Sequence, residues 1–204
     1  MGAGFWNERY GVEEFAYGTA PNAFLAAQLE RLYPTMWALV PGDGEGRNGV
    51  WLAQQGLTVT TVDLSTAGVA KAEALAAARG VSLRAEVADL TTWSWPMGCF
   101  DLVVSVYLHF PPHQRPDIHG RMVEALAPGG LLILEGFRPE HLDYRRRFGT
   151  VGGPPRGELC FNRELLQGDF ASLTPLLLED ADVDLDEGPY HRGRSAVVRG
   201  VWQK

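Results

Sequence analysis

Three carboxylates stand where a ligand could use them. Asp43 and Glu45 alternate with Gly42, Gly44 and Gly46, and Asp63 closes the next apolar run about twenty residues on. The apolar run Met36–Pro41 enters this glycine turn and a helix-like stretch, Arg47–Gln55, leaves it. Alternate glycines let the backbone turn sharply and admit a ligand where a Cβ would block it. An acid at the end of the second strand can accept hydrogen bonds from both hydroxyls of a ribose. Together these features predict a nucleoside-cofactor site.

Spacing and charge narrow the cofactor. A dinucleotide loop follows G-x-G-x-x-G, whereas here the third glycine arrives one residue early, giving G-x-G-x-G. A pyrophosphate would sit at this helix N-terminus, and two acids there repel phosphate but suit a cation. S-adenosylmethionine, with a sulfonium, an ammonium and no phosphate, fits that loop. An NAD-dependent oxidoreductase is the rival reading that the spacing and the acids disfavour. A protein that binds S-adenosylmethionine without catalysis is a second rival, since binding residues do not report turnover.

The elements needed to hold such a site can be read along the chain. Probable strands are Trp37–Pro41, Thr58–Asp63, Ser82–Glu86, Phe100–Val106 and Leu131–Gly136. The helices between or after them are Arg47–Gln55, Thr66–Arg79 (with Ser65 or Thr66 as N-cap) and Gln114–Leu126, the last stopped by Pro128-Gly129-Gly130. Strands alternating with helices predict a parallel sheet with right-handed crossovers. The unbroken apolar run Leu102–Val106 predicts a central strand covered on both faces. Two final runs, Leu176–Leu185 and Ser195–Trp202, have no helix between them and predict an antiparallel hairpin. The expected fold is α/β: a three-layer, doubly wound, mostly parallel seven-stranded sheet ending in that hairpin. Residues 1–35 form an N-terminal cap, 36–136 the cofactor core, 137–161 a basic, Gly- and Pro-rich lid or insertion, and 162–204 a helix and the hairpin, all in one domain.

Composition bounds the function. The 204 residues are 46% hydrophobic and 21% charged, ordinary for a soluble globular domain. No apolar run approaches the roughly 20 residues that span a bilayer, and Met1–Asn7 lacks the features of a secretory signal. Two cysteines, Cys99 and Cys160, make no disulfide framework, which suits a reducing cytoplasm. The formal net charge of −7 argues against a nucleic-acid or anionic-membrane partner. A monomer or homodimer acting on a small molecule is expected. His109 and His113 have the spacing of a metal pair, but Pro111 and Pro112 break any shared helical face, so no metal is expected.

The G-x-G-x-G loop, the acid ending the second strand and the terminal hairpin resemble the class I S-adenosylmethionine-dependent methyltransferases, with their Rossmann-like fold. Phe5-Trp6-Asn7-Glu8-Arg9-Tyr10, Ala16–Asn22, Glu45–Asn48, Val62–Ser65 and Asp186–His191 are similar to the small bacterial branch around the tellurite-resistance and thiopurine methyltransferases. The resemblance implies that Gly42, Gly44 and Gly46, with Arg47 and Asn48 following, border the methionine and ribose of the cofactor. It implies Asp63 on the ribose, Leu64 against the adenine, Asp89 and Leu90 beside the adenine amino group, and Ser105 and Val106 on the methionyl portion. Two departures stand out. Val40 replaces an acid common before the first glycine, and Asp43 replaces a common cysteine and is expected to reach the ammonium instead. Ser105–Leu108 lacks the Asn/Asp-Pro-Pro-aromatic signature of base-amino methylators.

Topology locates the acceptor. Parallel strands release their following loops at one edge, and ligands bind there. This groups Tyr107, His109, His113 and Arg115 with Arg138, His141 and Arg145–Arg147. It adds Tyr190, His191, Arg192 and Arg194 if Leu176–Leu185 runs parallel to the rest. Such a rim predicts an anionic or soft acceptor, such as a metalloid oxyanion, a thiol or a small acid. Tyr17, Tyr107, Tyr190, Arg192 and Arg194 are the substrate candidates, and His109 and His191 the candidate bases. Trp93 and Trp95 flank either the adenine or the core.

Overall fold

The computed structural model describes residues 2–204. Its central sheet contains β1 (Trp37–Pro41), β2 (Thr58–Asp63), β3 (Arg84–Val87), β4 (Phe100–Val106), β5 (Leu126–Phe137), β6 (Thr174–Asp186) and β7 (Arg192–Gln203), in the order β3-β2-β1-β4-β5-β7-β6. The first five strands pair in parallel, and β7 runs antiparallel to both β5 and β6. β6 is therefore parallel to β1–β5, and its turn to β7 lies at the edge where the parallel strands end. The helices are α1 (Ala3–Tyr10), α2 (Ala23–Ala26), α3 (Arg47–Gln54), α4 (Thr66–Ala78), α5 (Arg115–Ala125), α6 (His141–Phe148) and α7 (Arg163–Asp169). None of them is long and apolar enough to cross a membrane.

Alternation along the strands divides the core. In β4, Leu102 and Val104 point to the layer holding Phe24 and Leu25 of α2 and Leu52 of α3. Val103 points to the opposite layer, with Ile118 and Met122 of α5, Leu166 of α7 and Trp202 of β7. Both faces of this strand are covered, as its continuous apolar run requires.

Local chemistry sets most boundaries. Ser65 caps α4, its Oγ accepting from the Gly68 N–H at 3.0 Å. Asn162 caps α7 by accepting from Leu165 N–H at 2.8 Å. The third strand begins two residues later than expected, at Arg84. The larger correction is at Pro128-Gly129-Gly130. These residues lie within β5, because Leu126 already pairs with Phe100. An irregularity between that pair and Leu102–Leu131 absorbs the extra chain, and Gly129 at φ 81° makes the bend. Within 137–161, α6 packs beside β7.

Candidate functional site

The glycine loop leaves β1 with Gly42, Gly44 and Gly46 at φ 70°, 59° and 88°, a region that disfavours side chains. The three glycines do different work. A Cβ on Gly42 would meet Leu108, and one on Gly44 the Tyr10 hydroxyl at 2.7 Å. A Cβ on Gly46 would run into Ala72 of α4, so the third glycine serves helix packing. The Asp63 carboxylate accepts from Gly44 N–H at 2.9 Å and Ser65 N–H at 2.8 Å, joining the ends of β1 and β2. Asp63 is buried, and this burial raises its pKa against the opposing pull of the amides. Each oxygen keeps a lone pair free for a further donor.

The loop acids turn out to be occupied by the protein. Asp43 faces inward, its Oδ2 accepting from Gly49 N–H at 3.0 Å, while Oδ1 is buried without a partner. Burial pushes its carboxyl up to about 7. Glu45 accepts from the Ala16 N–H at 2.8 Å and pairs with Lys71 at 2.6 Å. The cation that suits this loop is thus a lysine of the chain itself. The expected reach of Asp43 to a ligand ammonium is replaced by support of the α3 N-terminus, where an acceptor satisfies a free amide.

The remaining cofactor-edge residues are spread along strand ends. Asp89 is exposed and its Oδ1 accepts from Thr91 N–H at 2.9 Å, a turn that leaves its other oxygen free. Leu90 is buried and Leu64 partly so. Ser105 is buried at the end of β4 with no partner for its Oγ, and Val106 beside it is partly exposed. Asn48 accepts from Asn22 N–H at 2.9 Å, and Arg47 donates to Glu187 at 3.0 Å. Trp93 and Trp95 pack on the α5 side of the core, their indole N–H groups given to Glu86 and to the Leu90 carbonyl.

A row of rings roofs the edge. Trp6 stacks on Tyr10 and Tyr10 meets Tyr17, while Arg9 lies 3.8 Å over the Tyr190 ring. Tyr17 and Tyr107 flank His191, with ring centroids 4.4 and 4.7 Å from it. Of the expected substrate residues, the structure gathers Tyr17 and Tyr107 around this imidazole, while Tyr190 lies against Tyr17 with centroids 6.3 Å apart.

The two candidate bases part company. His109 Nδ1 donates to the Leu159 carbonyl at 2.8 Å, and Nε2 accepts from the Phe137 N–H at 3.2 Å. Burial lowers its pKa to about 3. With both nitrogens used, His109 is a structural residue joining β5 to the 157–159 turn, which corrects its assignment as a base. The His191 ring makes one hydrogen bond, from Nδ1 to Glu187 at 3.3 Å, which leaves Nε2 as the acceptor. Burial lowers the His191 pKa, and Arg47 lowers it further against the pull of Glu187. Burial alone would raise the Glu187 carboxyl, but His191 and Arg47 together bring it down to about 2. The result is a neutral, oriented imidazole.

The basic rim does not assemble. Arg192 and Arg194 lie opposite Asp186 and Asp184 in the hairpin register, on the face of β7 away from Arg199. Arg194 lies 3.5 Å from Asp182 and Arg192 lies 3.9 Å from Asp186. The guanidinium of Arg194 sits near the rings of Tyr144 and Phe148. Arg138 is bonded to Asp182, Arg115 to Asp169, and Arg145 to the Pro154 carbonyl. His113 is exposed, and His141 is buried against Gly152. Period-two alternation sends neighbouring hairpin residues to opposite faces, so sharing a turn did not mean sharing a site.

The structure adds residues that the motifs did not name. Asn22, Glu135 and Arg199 join Arg47 and Glu187 in lining a cavity of about 430 Å³ bordered by residues 17–23 and 183–188. Glu135 was detectable as a lone acid inside the apolar run Leu131–Phe137. Its partners were not.

Residues 38–130 match the family model described as a methyltransferase domain. Among solved structures, one from work on the conversion of a disulfide bond into a thioacetal group during echinomycin biosynthesis has a TM-score of 0.79 at 21% identity. It covers 99% of this chain and 92% of its own. The N-methyltransferase NodS from Bradyrhizobium japonicum WM9, in complex with S-adenosyl-l-homocysteine, has a TM-score of 0.70 at 18% identity over 99% of this chain and 97% of its own. TehB from Haemophilus influenzae has a TM-score of 0.69 at 15% identity over 99% and 66%. At these identities the likeness is one of fold. No curated protein matches the chain.

Proposed function

Because the chain carries a methyltransferase domain within a class I, Rossmann-like methyltransferase fold, we propose that it transfers a methyl group from S-adenosylmethionine to a small molecule whose accepting atom must lose a proton. A thiol suits this best. The observation that carries the acceptor reading is His191: a neutral imidazole oriented by Glu187, its Nε2 without a partner, between Tyr17 and Tyr107.

The cofactor fits the residues present. Gly42 and Gly44 leave no room for a Cβ, Asp63 keeps lone pairs beside them, and Ser105 Oγ awaits a partner. When bound, S-adenosylmethionine supplies an electrophilic methyl group on a sulfonium. Asp63 would hold the ribose, with Leu64, Asp89 and Leu90 around the adenine and Ser105 and Val106 at the methionyl end. The protein contributes alignment, which is the main requirement of an in-line displacement. His191 accepts the proton of the attacking group, and the imidazolium formed is stabilised by Glu187. Of the acceptors admitted by the sequence, an oxyanion or a small acid would want free cations. Of the rim arginines, Arg115, Arg138, Arg192 and Arg194 are paired with acids and Arg145 is bonded to a carbonyl. A neutral thiol needs a base and no cation.

Two measurements test this. S-adenosylhomocysteine at a hundredfold excess over Kd should stabilise the protein by about 2.7 kcal/mol in a thermal melt, and NAD should not. In an assay of S-adenosylhomocysteine release, alkylthiols should turn over and lose activity below the His191 pKa. A melt raised by NAD alone would end the cofactor reading, and turnover confined to oxyanions would end the thiol reading.

A further inference from the structure

We infer that Glu135 is a positioning residue: it holds Tyr107 at both ends, and Tyr107 in turn fixes the imidazole of His191. The inference rests on the reading of His191 as the base. The Glu135 carbonyl accepts from the Tyr107 N–H at 2.8 Å, and its carboxylate accepts from the Tyr107 hydroxyl at 2.6 Å. So held, Tyr107 adopts φ 54°, a conformation that a side-chain-bearing residue keeps only when its surroundings impose it. Its ring stacks on Phe137 with centroids 4.5 Å apart, and the His191 ring stands edge-on to it at 82°. Tyr17 closes the other side of the imidazole. One carboxylate thus sets a chain of rings that ends at the base.

Glu135 is the one charged residue of β5. It is 2% exposed in an apolar strand, where a buried ion pair is often no better than well-packed hydrophobic residues. Its partners hold it rigidly: Asn22 Nδ2 at 2.7 Å from Oε1 and Arg199 Nε at 2.6 Å from Oε2. Arg199 lies directly opposite it in the β5–β7 register. A supporting group locked on a central strand is what a positioned base requires.

The test reads the imidazole itself and needs neither cofactor nor acceptor. His191 ring signals, assigned by their loss in His191→Gln, are followed by ¹⁵N and ¹³C NMR from pH 4 to 9. The wild type should show one neutral tautomer, with the proton on Nδ1. Glu135→Gln and Tyr107→Phe should each mix the two tautomers, because the Nδ1 bond to Glu187 is long at 3.3 Å and is kept only while the Tyr107 ring holds the imidazole against it. Glu135→Gln alone should move the His191 midpoint to lower pH, because a carboxylate favouring the imidazolium is lost. The other titratable and charged groups facing His191 are Glu187, Arg47, Tyr17, Tyr107, His109 and His141, and Glu135→Gln changes the charge of none of them. In turnover of hexanethiol, Glu135→Gln should lower kcat/KM about 10- to 100-fold and carry its acid limb to lower pH. A single tautomer with an unmoved midpoint in a folded variant overturns the inference and leaves the methyltransferase reading intact. Mixed tautomers with hexanethiol turnover insensitive to His191→Gln would uphold the positioning but remove the base. Tyr107→Phe carries the tautomer test should Glu135→Gln fail to fold.

Discussion

The β1–β2 end of the sheet edge and its β5–β7 end are built from different materials. At the first, the candidate ligand surface is mainly main chain: glycine Cα faces and one carboxylate that accepts from two buried amides. At the second it is side chain, with Asn22, Arg47, Tyr107, Glu135, Glu187, His191 and Arg199 converging from separate parts of the sequence. A main-chain site is made by a local turn, so it can be written in a few consecutive residues. A side-chain site exists only after the strands have paired. The first suits a cofactor of fixed shape, and the second can change with the acceptor.

The largest effect expected separates chemistry from binding. His191→Gln should lower kcat for an alkylthiol about 10²- to 10⁴-fold, roughly 3–5 kcal/mol of transition-state stabilisation, with S-adenosylhomocysteine affinity unchanged. His109→Gln should lower the melting temperature instead, because it disrupts two internal hydrogen bonds. Equal loss of kcat in both variants would erase the distinction between the two histidines.

Next is the inward acid of the glycine loop. The folded-state pKa of Asp43, about 7, lies above its ordinary 3.8, so between these values the native state binds a proton that the unfolded state has released. Its contribution is favourable below about pH 4 and is lost as pH rises through 7. Asp43→Asn keeps an acceptor for Gly49 N–H and abolishes that dependence. The advantage of the variant in unfolding free energy should grow from near zero at pH 4 to a difference on the order of a few kcal/mol at pH 8, read by denaturant titration. A pH-independent difference together with weakened S-adenosylhomocysteine binding would return Asp43 to the ligand.

Asp63→Ala should weaken S-adenosylhomocysteine binding by roughly 1.5–3 kcal/mol in calorimetry. It should also lower the melting temperature without ligand, since the Gly44 and Ser65 amides lose their acceptor. Affinity unchanged despite a lower melting temperature would make Asp63 a brace of the loop alone. The smallest effect is expected from Arg192 and Arg194. Changing both to Ala should alter stability by about 0–1 kcal/mol, as for exposed ion pairs, and leave kcat/KM within about threefold. A large loss of turnover would put the outer face of the hairpin into the site.

Much of the fold was legible because its signals are local. Residues Trp37–Pro41, Thr58–Asp63 and Phe100–Val106 declare strands by apolar runs, and Ser65 declares a helix start by its capping chemistry. The parallel course of Leu176–Leu185 followed from the hairpin once its partner strand was placed. Pro128-Gly129-Gly130 misled because a bulge can hold residues that otherwise end an element.

By itself the sequence determined the glycine turn, the acid after β2 and the order of strands and helices, since each depends on residues within a few positions of one another. Tertiary structure alone decided where the charges go. It gave Glu45 to Lys71, used both nitrogens of His109, and set Arg192 and Arg194 against the acids of β6. It also joined Glu135 to Tyr107, 28 positions away, and Asn22 to Glu135, 113 positions away. A carboxylate or an imidazole acts through what lies within about 3 Å of it, and sheet register, not sequence spacing, selects those neighbours.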